Sequence, residues 1–466
     1  MFWIPIDRTV DMPLIRQVYE QIRTRILHGE LASGECLPPT RELASNLGLS
    51  RNVVVEAYEQ LLAEGYIEAR QGSGTYVAEG AFLDQQEKTD LLSYFDIHHS
   101  KEEKNDVIDF RSGLPALDMF PRNTWGQIAK KVCEEASHSA FGYGDPEGRI
   151  ELRHILSRYL KRTRGVHCHP DQLVITSGAT QALSLIANLL LSPGDEVIIE
   201  DPITHEIQTI FSSPGSSLYP IHVDEQGMKT DLLPSAKKPR FIFVTPSHQF
   251  PLGGTLPIQR RIQLIQYART VDCFIVEDDY DSEFRYQGAP ISSLQGLDSD
   301  RVIYIGTFSK ILSPALRLGY LILPPSLIKR CKNLKWFADL HTPSLEQLTM
   351  ARFIDERHLE RHIRKMKKIY KERRDHVKKC LVEEFGDTVK ISGDSTGLHL
   401  IAEFKHMKFS NQNINEVIKQ YKVKIYPVEH HTIKKEIHQN KIILGYGNLT
   451  KEEIEKGIHR LKQALT

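Results

Sequence analysis

Apolar residues near the start of the chain recur at the three- and four-residue spacing of one helix face. They are Leu14, Val18, Ile22, Ile26 and Leu27. This spacing predicts an amphipathic helix, and Gly29 suits its end because glycine readily adopts the left-handed backbone of a helix stop. The chain is therefore expected to open with a helix that packs one face against a small core.

Two shorter helical patterns follow over residues 40–47 and 50–62, with a tight turn at Gly48 between them. Thr40 and Ser50 suit the two helix starts, because their hydroxyls can cap free backbone N–H groups. The inward positions of the second helix are expected to be Val54, Ala57, Tyr58, Leu61 and Leu62. Two short helices joined in this way predict a helix-turn-helix.

A hairpin pattern closes this first region. The segments YIEAR and TYVA have the composition of strands and flank the glycine-rich turn QGSG. A helix, a helix-turn-helix and a hairpin in this order predict a winged helix over residues 1–78. The region resembles the GntR-type DNA-binding domain over the stretch LPPTRELASNLGLSRNVVVEAYEQLLAEGYIEARQGSGTYV.

The resemblance implies two groups of DNA-facing residues. They are Arg41, Ser50, Arg51 and Asn52 around the second helix, and Gly72, Ser73 and Gly74 in the wing. The first residues of a recognition helix contact bases, and Arg and Asn side chains read guanine and adenine. Val55 departs from the pattern, because many such domains carry a further arginine there. A winged helix that contacts only protein is the alternative.

Charge complicates this interpretation, because residues 1–80 hold seven Arg and no Lys against eleven Asp and Glu, a net of −4. DNA-binding domains are usually basic on the contacting face. The arginines are therefore expected to cluster on one face, or affinity is expected to depend on two paired domains.

The whole chain has 466 residues, a length that predicts several domains. Its net charge is zero and 40% of its residues are hydrophobic, a composition typical of soluble globular proteins. No apolar run approaches ~18 residues, so no membrane span is expected. Six scattered cysteines without a CxxC pair favour the cytoplasm. The sequence HCH at 167–169 lacks a second ligand cluster, so no metal site is predicted.

Residues 79–106 have no clean period and predict a linker. Beyond it, strand-like runs such as LVIT, FIVE and RVIYIGT alternate with helical patterns over residues 107–466. This alternation predicts an α/β fold with a large doubly wound sheet and a smaller C-terminal α+β subdomain over about 335–466. Ligands of such sheets bind at the carboxyl ends of the strands.

Three predicted strand ends carry chemistry. A helix start at Gly178, Ala179 and Thr180 offers free backbone N–H groups to a phosphate. Strand alternation puts Asp278 and Tyr280 on one face, where they can serve a heteroaromatic ring. Lys310 follows a buried strand, where desolvation favours a nucleophilic amine. Further phosphate ligands are Thr307, Ser309 and Arg317. Together these residues predict a pyridoxal 5'-phosphate site.

The region resembles the fold-type I aminotransferases, through the spacing EDDY, GTFSK and LRLGY. The resemblance implies that Lys310 forms the Schiff base, that Asp278 pairs with the ring nitrogen and that Tyr280 bonds the ring hydroxyl. It also implies that Tyr143 reaches the cofactor phosphate of a partner subunit. His248, in the loop TPSHQFPLGG, is a further candidate near the cofactor.

Three departures from the aminotransferase pattern bear on activity. Thr204 stands where an aromatic ring usually stacks on the cofactor, so His205 is the candidate for stacking. Phe250 replaces an asparagine in the loop near the ring. Asn448 occupies the position expected to supply an arginine for the substrate carboxylate, and asparagine cannot form that bidentate ion pair. Ordinary transamination of α-amino acids is therefore not favoured.

A GntR-type winged helix joined to such a domain resembles the MocR-like transcriptional regulators. That resemblance implies a bacterial, cytoplasmic regulator that binds pyridoxal phosphate and usually forms a head-to-tail homodimer. Our first hypothesis is that it binds a DNA operator and senses an amine, an amino acid or a vitamin B6 compound through aldimine chemistry at Lys310. The alternatives are an active aminotransferase with an added DNA-binding domain, and a DNA-binding protein with an inactive cofactor domain. The basic segment 361–379 is either a solvated helix face or a contact for the DNA backbone.

Overall fold

The computed structural model describes residues 5–82, 106–409, 414 and 419–465. The chain divides into two compact units, Met1–Glu103 and Lys104–Thr466. Most of the predicted linker, residues 83–105, lies outside the described residues. In the part of the chain that is described, no helix has the length and apolar character needed to cross a membrane.

The first unit is a three-helix fold with a small antiparallel sheet. Its helices are α1 (Leu14–Leu27), α2 (Thr40–Leu47) and α3 (Arg51–Ala63), and its strands are β1 (Cys36–Leu37), β2 (Ile67–Arg70) and β3 (Gly74–Val77). The strand order is β1-β3-β2. One core joins the three helices to the sheet, with Ile22, Leu43 and Leu61 fully buried. The predicted winged helix is confirmed in its order of elements.

Local details of the helix-turn-helix match the sequence pattern unevenly. Thr40 is the first residue of α2, and Gly48 ends this helix at φ 63° in the left-handed region. Ser50 lies at the N-cap position of α3, yet its hydroxyl makes no capping hydrogen bond. Leu62 was expected inside and is 36% exposed, so that expectation was wrong. It directly follows Leu61 on α3, and the core lies on the Leu61 side.

The second unit is built on an eight-stranded sheet of order β5-β12-β11-β10-β9-β6-β7-β8. The strands are β5 (Leu173–Thr176), β6 (Glu196–Asp201), β7 (Ser217–Asp224), β8 (Gly227–Met228), β9 (Phe241–Val244), β10 (Phe274–Asp279), β11 (Val302–Thr307) and β12 (Gly319–Ile322). Strands β12 and β8 run antiparallel to their neighbours, and the other pairs are parallel.

Helices cover both faces of this sheet. They are α4 (Arg122–Glu135), α5 (Ile150–Arg164), α6 (Ala179–Leu190), α7 (His205–Ser212), α8 (Ile258–Val271), α9 (Pro325–Asp339) and α10 (Ser344–Asp355). In β5, Val174 packs into one core and Leu173 and Ile175 into another, as expected for a strand that is buried on both faces. The predicted α/β class is confirmed.

A second core lies beside the large sheet. It combines α11 (His358–Phe385), α12 (Lys451–Leu465) and a four-stranded antiparallel sheet of β13 (Val389–Ser392), β14 (His399–Phe404), β17 (Lys441–Gly445) and β16 (Tyr426–Pro427). Strand β4 (Ile108–Asp109) joins this part by pairing with β15 (Val423–Lys424). The core therefore includes Phe110 and Ala116 from the start of the unit. The subdomain boundary near residue 335 stays a prediction.

Candidate functional site

Lys310 follows β11 at the carboxyl edge of the large sheet. Burial lowers the pKa of its ammonium, while the carboxylate of Asp281 opposes this shift and the guanidinium of Arg111 adds to it. The segment around Gly113 passes so close that a Cβ atom there would lie 2.9 Å from Lys310 Nζ. The lysine therefore sits in a confined pocket that favours its neutral, nucleophilic form.

Asp278 and Asp279, at the end of β10, have different surroundings. Asp279 accepts a hydrogen bond of 2.7 Å from Arg164 Nε and another from the Tyr304 hydroxyl. Asp278 is only 8% exposed, and its Oδ1 has no partner among the described atoms. Burial, with the charge of Asp279, raises the pKa of Asp278 to about 7. A buried carboxylate without a partner suits a ligand that presents an N–H group.

The predicted phosphate ligands lie at neighbouring strand ends. Gly178 is the N-cap residue of α6 and adopts φ 88°. Arg317 Nη2 donates a hydrogen bond of 2.7 Å to the Ser177 carbonyl. A Cβ on Gly178 would lie 2.8 Å from this Arg317 nitrogen. Thr307 Oγ1 and Ser309 Oγ are 3.1 Å apart. The structure thus brings the helix start and the arginine together, with Ala179 and Thr180 in the first turn of α6.

Tyr280 is held by the loop that contains His248. Its hydroxyl donates a hydrogen bond of 2.9 Å to the His248 carbonyl and lies 3.1 Å from His248 Nδ1. His248 Nδ1 in turn lies 2.9 Å from Asp281 Oδ1. Gly397 covers this pair, since a Cβ there would lie 2.2 Å from Asp281 Oδ2 and 2.5 Å from His248 Nδ1. Tyr280 and His248 therefore have fixed orientations.

His248, Asp281 and His399 form a buried group whose ligand-type atoms lie within 4.8 Å of one another, which the sequence pattern did not predict. Two of these atoms already have partners. His248 Nδ1 lies at hydrogen-bond distance from Asp281, and His399 Nε2 donates to the Pro251 carbonyl at 2.9 Å. The two imidazole rings lie nearly face to face, 4.9 Å apart and tilted by 33°. The described contacts therefore account for His248 Nδ1 and His399 Nε2, while His248 Nε2 is buried without a partner among the described atoms.

Other predicted residues lie outside this cluster of contacts. His205 is exposed in the first turn of α7, and Thr204 caps that helix by accepting from the Ile207 N–H at 3.3 Å. Tyr143 is 84% exposed, and its ring lies edge-on to that of His341. Asn448 Oδ1 is buried without a partner among the described atoms. The cofactor contacts of these residues stay predictions.

The predicted DNA-facing residues share one property in the first unit, because all of them are exposed. They are Arg41, Ser50, Arg51, Asn52, Gly72, Ser73 and Gly74. Within the described residues, Arg41 and Arg51 have no ion pair or hydrogen bond, whereas Arg16, Arg23 and Arg70 pair with glutamates. Arg16 and Arg23 share Glu20 and Arg70 is bound to Glu68, so Arg41 and Arg51 are the arginines left free at the helix-turn-helix.

Sequence reasoning missed Asp281, Gly113 and Gly397. Asp281 directly follows the EDDY stretch, so its position beside the candidate site was a usable signal. Gly113 and Gly397 gave no sequence signal, because the residues they contact are distant in the sequence. Gly113, for example, lies 197 positions before Lys310. Gly397 N also donates to the Phe284 carbonyl at 2.9 Å.

The residues around Lys310 fit pyridoxal 5'-phosphate. The unpartnered Asp278 carboxylate suits the ring nitrogen, and the start of α6 with Arg317 suits an anionic phosphate. Gly178 leaves the approach to Arg317 free of side-chain atoms. When bound, the cofactor would supply an aldehyde that reacts reversibly with amines.

Comparison with known proteins agrees with both halves of the sequence pattern. Residues 14–77 match the bacterial regulatory proteins of the gntR family, and residues 105–461 match the aminotransferase class I and II family. The Bacillus subtilis protein YdeL, described as an uncharacterized HTH-type transcriptional regulator, is 36% identical over 98% of both chains. The probable rhizopine catabolism regulatory protein MocR of Rhizobium meliloti is 34% identical over 98% of this chain and 95% of its own.

A solved structure supports the fold of the second unit. The crystal structure of Pyrococcus horikoshii kynurenine aminotransferase in complex with PMP matches with a TM-score of 0.72 at 30% identity, and the match covers 82% of this chain and 95% of that one. The predicted fold, cofactor and family are thereby confirmed. The chain belongs to the MocR-like transcriptional regulators, in which a GntR-type DNA-binding domain is joined to an aminotransferase-like domain that binds pyridoxal phosphate.

Proposed function

We propose that this regulator reads an amine, an amino acid or a vitamin B6 compound at Lys310 and transmits the signal to its DNA-binding domain. The observation that carries the proposal is a complete set of cofactor residues, Lys310, Asp278 and Arg317, in a chain whose helix-turn-helix presents free arginines. Lys310 lies in a confined position beside Gly113 and its pKa is lowered by burial, which supports a reactive amine there.

The chain's own residues define what the site does. Lys310, whose pKa is lowered by burial, is placed to bond the cofactor and to be displaced by an incoming amine. Asp278 would hold the ring nitrogen of a bound cofactor by charge, and Tyr280, fixed by His248, would orient the ring edge. Displacement of Lys310 from the cofactor by the effector amine would free the lysine side chain, which lies beside Gly113. Differential affinity of the effector for two arrangements of the protein would then shift their populations.

We further propose a head-to-tail homodimer in the bacterial cytoplasm, where its DNA is. Aminotransferase-like domains of this class are typically dimeric. Large apolar side chains near Tyr143 are exposed and suit a second copy of the chain. Phe141 is 60% exposed, Tyr143 84% and Phe337 87%. In that assembly Tyr143 would reach the partner's cofactor phosphate, and each winged helix would pack near the partner's large domain.

A gel-shift and footprint assay on DNA around the protein's own gene tests the proposal. The pyridoxal phosphate form should change its affinity or footprint when candidate amines, amino acids or free B6 compounds are added. Lys310→Ala should bind DNA but should not respond. If wild type gives the same affinity and footprint with every compound, the sensing proposal is wrong. If Lys310→Ala responds as wild type does, sensing does not run through the lysine.

The second candidate function is transamination, and the same complete set of cofactor residues favours it. Asn448, whose Oδ1 is buried without a described partner, stands at the position expected for a carboxylate arginine and speaks against α-amino acid substrates. Sustained turnover of an amino donor with 2-oxoglutarate, lost in Lys310→Ala, would establish this activity.

A further inference from the structure

Lys335 is a fully buried lysine outside the cofactor contacts described above. It lies on α9 with 0% exposure, and its Nζ donates a hydrogen bond of 2.6 Å to Asp339 Oδ1 one turn later. Burial lowers the pKa of Lys335, and Asp339 opposes that shift. Burying an ammonium is costly even when it is paired, so this position calls for an explanation beyond helix stability.

A chain of hydrogen bonds leads from this ion pair to the start of α6. Asp339 Oδ2 accepts from Gln181 Nε2 at 2.7 Å, and Gln181 Oε1 accepts from the Ser177 N–H at 2.7 Å. The Ser177 carbonyl accepts from Arg317 Nη2 at 2.7 Å. Both backbone polar groups of Ser177 are thus fixed, one by this chain and one by the arginine.

The i, i+4 spacing on α9 brings Lys335 and Asp339 together, but the end of this helix does not itself favour Asp339. Asp339 is the last residue of the helix, where the helix dipole disfavours a negative side chain. Leu340 follows at φ 60° and ψ −67°, a costly conformation for a residue with a Cβ. The chain therefore accepts two local penalties at the point where Asp339 meets Gln181.

We propose that Lys335, Asp339 and Gln181 are positioning residues that preset the loop 177–180 for the cofactor phosphate. The proposal rests on the assignment of that loop and Arg317 to the phosphate. Gln181 orients the Ser177 peptide, and Asp339 orients Gln181. Lys335 neutralises Asp339, whose charge would otherwise repel a phosphate dianion bound nearby. Removing Lys335 should weaken binding of the phosphate without affecting the pyridine ring.

The test compares two ligands on the full-length, cofactor-free protein. Pyridoxal 5'-phosphate and pyridoxal, which lacks the phosphate, are titrated and followed by absorbance and fluorescence. Wild type should bind the phosphorylated form more tightly. Lys335→Met should lose roughly tenfold or more of that affinity, as expected when a buried charge pair is broken, and keep its affinity for pyridoxal.

Two further variants sharpen the test. Lys332→Met is the matched control, because Lys332 lies on the same helix but pairs with Glu147 at 2.5 Å and not with Asp339. It should bind both ligands as wild type does. The double variant Lys335→Met, Asp339→Asn removes both charges, and it should recover part of the phosphate-specific loss. A merely structural role for Lys335 would lower both affinities together.

The outcomes distinguish the assignment of the loop to the phosphate from the positioning role of Lys335. If wild type binds both ligands equally, the phosphate assignment itself is wrong. If wild type prefers the phosphate but Lys335→Met changes both affinities or neither, the positioning role is overturned. Where Lys335→Met lacks the circular dichroism spectrum of wild type, Gln181→Leu replaces it, with the same phosphate-specific loss expected and the same result overturning the proposal.

Discussion

At the scale of single residues, Asp278 and Asp279 show how two adjacent carboxylates take separate roles. Asp279 accepts hydrogen bonds from Arg164 and Tyr304 at Oδ2 and leaves only its Oδ1 unpartnered, whereas the buried Oδ1 of Asp278 has no partner and no donor is described for its carboxylate. Asp278→Asn removes the charge for the ring nitrogen and should weaken pyridoxal phosphate binding roughly tenfold or more. It should not lower the melting temperature of the cofactor-free protein, because no hydrogen bond is lost. Absorbance titration and calorimetry measure the two effects.

Asp279→Asn is the matched comparison for this prediction. It leaves the buried Arg164 guanidinium without its ion pair, and breaking such a pair typically costs about 3–5 kcal/mol. The melting temperature should therefore fall. A variant of Asp278 that melts lower than the variant of Asp279 would show that the two roles are assigned the wrong way round.

Gly397 carries a second prediction at this scale. A Cβ there would meet Asp281 Oδ2 at 2.2 Å and the His248 ring at 2.3 Å, so Gly397→Ala should displace the pair that holds Tyr280. Gly386→Ala is the control, since Gly386 also has positive φ but opens onto empty space. Gly397→Ala should cost about 1–3 kcal/mol more in the free energy of unfolding, measured by denaturant titration. Equal costs would mean that backbone strain alone matters.

At the scale of elements, α3 is expected to make the base contacts. Arg51 opens this helix, is exposed and has no partner among the described residues. Arg51→Ala should weaken operator binding by about 1–3 kcal/mol while the circular dichroism spectrum stays unchanged. Gel shifts at several salt concentrations measure the loss.

Arg70→Ala is the control for α3. Arg70 is bound to Glu68 and stacks on Tyr76, with 4.5 Å from its guanidinium carbon to the ring centroid. Its removal should change operator affinity less than that of Arg51. If Arg70→Ala weakens binding more, the wing strand rather than α3 makes the main contact.

Elements were more predictable from the sequence than the contacts between them. Periodicity and glycine positions predict α2, α3 and their turn because these signals are local, as the φ of 63° at Gly48 shows. The exposure of Leu62 was missed because adjacent apolar residues compete for one face. Strand order predicts that Lys310 and Asp278 meet at one edge. The link from Lys335 to Ser177 was not predictable, since it joins residues 158 positions apart.

At the scale of the whole molecule, the buried titratable groups of the second unit form two opposed classes. Burial raises the pKa of Glu200, Glu277 and Asp278 to about 7 and that of Glu283 to about 8. Burial lowers the pKa of His362, His431 and His438 to about 4, and that of His399 to about 3. The fold therefore favours neutral forms of both acids and bases.

These two classes predict how stability depends on pH. Between about pH 4.5 and 6.5 the unfolded chain releases the carboxyl protons that the fold keeps, which lowers stability as pH rises. Over the same range the histidines bind protons in the unfolded chain but not in the fold, so their contribution to stability increases as pH rises. The contributions of the carboxyl groups and the histidines to the pH dependence therefore offset each other. Above pH 6.5 the histidines are neutral in both states, whereas the buried carboxyl groups still differ. Stability should then fall towards pH 8, by about 1.4 kcal/mol per unit for each group until that group ionises in the fold.

Calorimetry of the cofactor-free protein from pH 5.5 to 8.5 checks this prediction. The melting temperature should be highest near pH 6 and should fall above pH 6.5. Asp278→Asn removes one of the carboxyl groups and should make that fall shallower, whereas Asp106→Asn should not, because Asp106 is a surface residue whose pKa is lowered to about 2 by Lys456 and Arg460. A melting temperature that rises from pH 6.5 to 8 would mean that the buried carboxyl groups are ionised in the fold. The site at Asp278 would then be negatively charged before any cofactor binds.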